Sequence, residues 1–170
     1  MKCSQVREYA ESDWSAVASL LADLHHHVAE LDVLGQFLKR EDFDKEAYLE
    51  HQLEQIDSKG GKMYVAVEMD ESNERIVGVV FGWVNRVDES SLEYASRISG
   101  FISELYVEEG SRGAGFGKAL IEAMESYFEE QKCEHIAISY LMANKKAAQF
   151  YEKMGYQGYS ARVVKNTRKR

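Results

Sequence analysis

"GSRGAGFGKAL", residues 110–120, places four glycines, one arginine and one lysine in eleven positions. It follows "ISGFISELYV" (98–107), a β-branched and apolar run that reads as a strand. It leads into "GFGKALIEAMESYFEEQ" (115–131), where Leu120, Ile121, Met124, Tyr127 and Phe128 share one helical face and Glu122, Glu125 and Glu129 the other. A glycine loop at a helix start suits an anion: the first-turn amides have no partner within the helix, the dipole favours negative charge, and glycine lets a ligand reach the backbone. Two phosphate motifs fail here. A P-loop needs a glycine five residues before its Gly-Lys pair and Ser or Thr after it, where this chain has Arg112 and Ala119. A dinucleotide fingerprint needs a glycine three residues beyond Gly115, where Lys118 stands, and an acidic residue about 20 residues on at a strand end. What remains is R-x-x-G-x-G at Arg112, Gly115 and Gly117; taken alone, it is equally a turn that caps a helix.

Outward from the loop, "HIAISYL" (135–141) reads as a short strand, and "NKKAAQFYEKM" (144–154) as a helix capped by Asn144 and stopped at Gly155. Strand, loop, helix and strand of this size predict a parallel crossover with the loop at the carboxyl end of its strand, where ligands bind. Upstream, "KMYVAVEM" (62–69) and "IVGVVFGWV" (76–84), joined by polar "DESNER", predict a hairpin. "QVREYA" (5–10) predicts a first strand. Ser12 or Asp13 then caps a helix on which Val17, Leu20, Leu21, Leu24 and Val28 recur, and a second helix covers about 43–57.

The 170 residues, 45% hydrophobic and 29% charged, fit one domain over 1–170 with one core. With no 18-residue apolar run and no apolar leader after the first methionine, the expected setting is cytoplasmic, with no membrane partner. Cys3 and Cys133 suggest reduced thiols rather than a bridge or a metal site. A net charge of -8 argues against nucleic acid. The acidity is uneven: residues 1–60 hold 6 Lys and Arg against 13 Asp and Glu, the remainder 15 against 16. His25, His26 and His27 cannot converge on one metal, because neighbours on a helix point about 100° apart. Phe81, Trp83 and Tyr94 are candidates for an acceptor pocket or for core, and Lys145 and Lys146 for a phosphate contact or simple exposure.

"ISELYVEEGSRGAGFGKALIEAMESY" (102–127) with "HIAISYLMANKKAAQFYEKMGYQGYS" (135–160) resembles the acetyl-CoA-binding core of the GNAT superfamily of N-acetyltransferases. Arg112, Gly115 and Gly117 match its Q/R-x-x-G-x-G/A motif. Asn144, Ala147, Phe150, Tyr151, Gly155 and Tyr156 match its N-x-x-A-x-x-F-Y-x-x-x-G-F/Y element. Glu109 stands where many members have proline. The resemblance implies an α/β (α+β) GNAT fold: a mixed sheet of about six to seven strands, about four helices, and a splayed parallel strand pair holding the cofactor. Residues 1–60 would form the acceptor side, 62–107 the antiparallel strands and 108–160 the acetyl-CoA-binding core.

The resemblance further implies that the backbone of Leu105, Tyr106 and Val107 pairs with the pantetheine amides. The amides of Gly113, Ala114, Gly115, Phe116, Gly117 and Lys118 would hold the pyrophosphate, Asn144 the pantetheine arm, and Tyr151 the thioester sulfur. Acyl transfer to an amine needs a proton removed from the ammonium and charge stabilised on an oxyanion and a departing thiolate. Tyr151 is the expected acid and Glu104 the expected base, with Tyr106 a weaker choice and the Val107 N–H the oxyanion donor. The expected activity is acetyl-CoA-dependent N-acetylation of a primary amine by direct attack in a ternary complex. The acceptor is a cationic small molecule or, alternatively, a protein N-terminus or lysine. A non-catalytic acetyl-CoA sensor is the rival from another class, and a homodimer is left open.

Overall fold

The computed structural model describes residues 4–70, 73–87, 90–93, 95, 97–165 and 167. Cys3, Tyr94 and most of the basic tail fall outside them. Five strands form one sheet in chain order: β1 (Ser4–Glu8), β2 (Gly61–Asp70), β3 (Asn73–Val87), β4 (Arg97–Val107) and β5 (His135–Ile138). The pairings are antiparallel except between β4 and β5, which run parallel, as the crossover reading predicts. Helix α1 (Trp14–Leu31) and α2 (Lys45–Ser58) lie between β1 and β2, α3 (Phe116–Glu130) joins β4 to β5, and α4 (Lys145–Lys153) follows β5.

Strand alternation divides the interior in two. Met63, Val65 and Val67 of β2, with Val79 and Phe81 of β3, bury against Val17, Leu21 and Leu49 of α1 and α2. The alternate residues Ala66, Val80 and Val84 bury against Leu120, Met124 and Phe128 of α3. Each side chain comes from the apolar face its spacing marks out, so helices cover both faces of the sheet. Phe81 is fully buried and therefore core rather than pocket lining. Trp83 is partly buried, with the Lys59 ammonium 4.3 Å above its ring.

Three expectations need correction. The sheet has five strands among the described residues, not six to seven: Gln157–Lys165 forms no strand, and Tyr159 and Val163 are exposed there. Strand β5 stops at Ile138 rather than continuing to Leu141. Asp13 stands before α1, but its carboxylate makes no cap bond. It turns back, accepting from Arg7 Nη1 and Nη2 at 2.7 and 3.0 Å and from the Ala10 amide at 2.9 Å, so it pins the corner between β1 and α1. The Arg7 guanidinium, ahead of the backbone bond, holds the Asp13 carboxyl below the usual range.

Gly100 lets α3 lie close on β4, since a Cβ there would come 2.5 Å from two carbons of the Phe128 ring. Gly100→Ala is expected to cost about 1–3 kcal/mol, because a filled core must shift rings and backbone to admit one more carbon. The check is a thermal melt, with Gly100→Ala/Phe128→Leu recovering part of the loss; an unchanged midpoint for Gly100→Ala would contradict the close approach.

Candidate active site

The parallel ladder between β4 and β5 runs from Ser99 opposite His135 to Ile102 opposite Ile138, and ends there. Strand β4 continues to Val107, held on its other side by β3. The β5-facing backbone edge of residues 103–107 therefore has no strand partner among the described residues, and the two strands part after Ile102 and Ile138. This is the splay expected around Leu105, Tyr106 and Val107. Its cause is visible in the register: Phe81 pairs with Glu104 and Gly82 with Ile102, so Ser103 is an extra residue in β4. A bulge of this kind bends the strand and re-aims the side chains after it. The bend lies at Ser103 rather than near Val107, which stands opposite Gly78 at the strand end.

Beyond Val107 the chain makes one 3₁₀ turn (Glu109–Ser111) and enters the glycine loop. Arg75 of β3 anchors the turn: Nη1 donates to Glu108, and Nη2 donates to Glu68 at 2.6 Å and to Ser111 Oγ at 3.3 Å. Ser111, buried, donates to Glu108 at 2.9 Å. Arg112 Nε donates to the Val107 carbonyl at 2.9 Å, and its guanidinium lies 5.5 Å from the Tyr106 ring, so this side chain ties the loop to the end of β4. Gly113 and Gly115 adopt φ of +83° and +91°, conformations that glycine alone visits without strain. A Cβ on either would meet nothing within 4 Å, so the space above them is open. The amides of residues 113–118 donate to no backbone acceptor among the described residues; the helical bonds begin with the Ala119 amide on the Gly115 carbonyl. Six amides without a backbone partner at the start of a 15-residue helix, beside two glycines with open faces, are suited to an anion. Phe116 is buried as an anchor of α3, and Lys118 is exposed, 3.6 Å from Glu122.

At the start of α4, Asn144 Oδ1 accepts from the Ala147 amide at 3.1 Å and so caps the helix; its amide NH₂ makes no bond among the described residues. Lys145 and Lys146 are exposed in the first turn. Tyr151 of α4 is 8% exposed, packed between Tyr140 (5.7 Å, stacked), Phe150 (5.3 Å) and Tyr156 (5.9 Å). Burial, and then the Glu104 carboxylate, push its phenol above the usual range, so it keeps its proton at neutral pH. Glu104 itself is pushed up to about 7: burial opposes its charge, and a hydrogen bond from Tyr48 at 3.0 Å partly offsets that. The bulge thus leaves β4 presenting a carboxyl poised near neutrality within electrostatic reach of a protonated phenol. These are the two residues expected as base and acid.

Tyr48 is the partner of Glu104 that sequence reading missed. It lies on α2 among the polar residues of "KEAYLEHQLEQIDS", next to the buried Leu49. The available signal was a phenol beside a core position, which must find a partner for its hydroxyl. Phe43 packs against it (5.1 Å) and stacks on His25 (3.8 Å). His25 and Phe43 line a cleft of about 270 Å³ with Asp23, Arg40 and Lys45. The acidity of the first third is therefore not concentrated there. His26 pairs with Glu30 at 3.4 Å, and no metal-binding cluster of His, Cys, Asp or Glu exists among the described residues. No helix of the described residues is long and apolar enough to cross a membrane.

A family model described as "Acetyltransferase (GNAT) family" matches residues 16–156. An uncharacterised N-acetyltransferase of Methanocaldococcus jannaschii is 32% identical over 84 residues, which is 49% of this chain and 47% of that protein; the match thus spans about half the relative's length. A protein of Bacillus halodurans, crystallised as a tetramutant, superposes with a TM-score of 0.78 at 21% identity, covering 95% of this chain and 99% of its own. An aminoglycoside N-acetyltransferase in complex with CoA superposes with a TM-score of 0.70 at 13% identity, covering 99% and 97%. At such identities the structural matches speak for the fold.

Proposed function

Because the chain belongs to the acetyltransferase (GNAT) family, we propose that it is an acetyl-CoA-dependent N-acetyltransferase acting on a primary amine by direct attack in a ternary complex. Three features support this reading: six amides at 113–118 without a backbone partner, a β4 edge left unpaired past Ile102, and a Glu104 carboxylate whose charge raises the Tyr151 phenol. The residues fit the cofactor. The amides of residues 113–118 and the open faces of Gly113 and Gly115 suit a pyrophosphate, the edge of residues 103–107 suits the pantetheine amides, and the Asn144 NH₂ adds a donor. Acetyl-CoA, when bound, supplies an activated acetyl thioester.

The chain's own groups divide the proton work. Glu104, half of it ionised at about pH 7, accepts a proton from the acceptor ammonium directly or through one water. Tyr151 holds its proton at Oη and donates it toward the thiolate side of the cleft. The cleft beside α1 and α2 adjoins the Tyr48 ring through Phe43, and the aminoglycoside enzyme of the same fold is named for an amine substrate. We assign the acceptor to the cationic small molecules on the net negative charge of residues 1–60, whose longer-range attraction, rather than the lining of this cleft, raises their local concentration.

A screen of free amines with acetyl-CoA, read by thiol release, tests the reading together with thermal denaturation. Acetyl-CoA at a hundred times its Kd adds about 2.7 kcal/mol to stability. No thermal shift at millimolar acetyl-CoA overturns the cofactor assignment, while a shift without thiol release from any amine, including peptide N-termini and lysines, turns the protein into a sensor. Tyr151→Phe is expected to lower kcat about ten- to a hundredfold and leave the acetyl-CoA Kd unchanged, because the phenol acts on charge that develops only as the thiolate departs. Parallel loss of binding and turnover would assign Tyr151 to packing.

A further inference from the structure

We infer that Tyr48 is a positioning residue for the Glu104 carboxylate: its phenol on α2 fixes Oε1 from the acceptor side of the sheet and leaves Oε2 to take the amine proton. The inference rests on Glu104 as the base. The geometry is specific. Tyr48 Oη lies 3.0 Å from Oε1 across 56 residues of sequence, and no other side chain or amide among the described residues donates to this carboxylate. The ring of Tyr48 cannot easily swing away, because Phe43 packs on it at 5.1 Å and is itself stacked on His25, whose Nε2 lies 3.0 Å from the Leu38 carbonyl. The acceptor-side connection between α1 and α2 thereby braces the group that holds the base.

A carboxylate with one oxygen fixed presents the other in a defined direction, which proton transfer to a small amine requires. The same bond tunes the charge. Glu104 accepts from Tyr48 of α2, and its charge raises the Tyr151 phenol of α4; its neighbour on β4, Tyr106, in turn feels Arg112 of the loop and Asp23 of α1. Among the described residues only Tyr48 donates a hydrogen bond to Glu104, and that bond favours the ionised form against the burial that opposes it. Burial and the adjacent Glu104 charge keep the Tyr48 phenol protonated, so it remains a donor throughout the neutral range.

The test is a ¹³C NMR titration of the full chain labelled at the glutamate carboxyl carbons, with the Glu104 resonance identified by its disappearance in Glu104→Gln. Tyr48→Phe keeps the ring and removes the donor. The Glu104 midpoint is expected to rise by about one pH unit, within the range that loss of a charge-assisted hydrogen bond allows. Placing 3-fluorotyrosine at position 48, which strengthens the donor with little change of shape, is expected to move the midpoint down; it also serves if Tyr48→Phe folds poorly. In turnover, the acidic limb of kcat/KM for the amine found by the screen should move with the NMR midpoint while the acetyl-CoA Kd stays fixed. A Glu104 midpoint that neither variant moves overturns the assignment and leaves Tyr48 as a core aromatic. Wild-type turnover in Glu104→Gln is a separate outcome: it removes Glu104 as base without touching the measured coupling to Tyr48.

Discussion

Glu104→Gln is expected to lower kcat/KM for the amine by about 10²- to 10⁴-fold at pH 8, the usual contribution of a positioned base. Acetyl-CoA affinity should stay close to that of the wild type. Glutamine has the same shape and keeps an oxygen to which Tyr48 can donate, but it cannot accept the proton. In the wild type the base is burial-shifted to about 7, so kcat/KM should fall below that pH with one acidic limb, and Glu104→Gln should lack the limb. Stability moves the opposite way. A carboxyl whose folded pKa is raised above its unfolded value favours folding while it is protonated, and the contribution is lost as pH rises through about 7. Above that pH the wild type carries an ionised carboxylate in a poorly solvated place and Glu104→Gln does not. The variant should therefore be more stable than the wild type at pH 8–9, by up to about 3 kcal/mol given 1.36 kcal/mol per pKa unit, and less because Glu104 keeps some solvent contact. Activity and stability pulling apart at one residue is the signature of a site group. A variant that loses both has lost its fold, and one with full activity at pH 8 removes Glu104 from the chemistry.

The parts of this site that sequence made legible are local. The loop at 110–118 declares itself because positive φ, free amides and a helix start are all written within nine residues, and α3 declares its buried face by spacing alone. Asn144 caps α4 as its residue type predicts. Contacts across the sheet are different. Nothing near Tyr48 reveals that its hydroxyl meets Glu104, since the encounter depends on how α2 lies on β2 and β3 and on the one-residue bulge at Ser103. Asp13 shows the same limit: the residue type fits a helix cap, but Arg7 and the Ala10 amide offered a better set of donors, and the cap was lost to them. The strand count came from the resemblance rather than from the residues, and Gln157–Lys165, with Tyr159 and Val163 exposed, does not follow that plan. Strand β5 ends early because its chain leaves β4 at Ile138, which carries Tyr140 onto the Tyr151 ring.

Gly115→Val is expected to reduce acetyl-CoA affinity by more than about a hundredfold while the protein still folds. Two effects act, and both are written in the geometry. At φ +91° a β-branched residue is strained by about 1–3 kcal/mol, which lowers the melting point by several degrees without unfolding a 170-residue chain. The added side chain meets no protein atom near its Cβ, so it does not disturb the core; it stands instead in the open space beside the amides of residues 113–118. An anion reaching those amides would have to displace it, and the charge-assisted bonds lost are worth about 1.5–3 kcal/mol each. Two controls separate strain from occlusion. Gly115→Asn tolerates the left-handed conformation, so it should recover most of the stability and little of the affinity. Gly110→Ala lies outside that conformation, with nothing within 4 Å of its added carbon, and should change neither. Isothermal titration with acetyl-CoA reads the affinities and thermal melts the stabilities. Wild-type affinity in Gly115→Val would show that the anion is held elsewhere, and affinity restored in Gly115→Asn would show that backbone conformation, rather than open space, is what the loop requires.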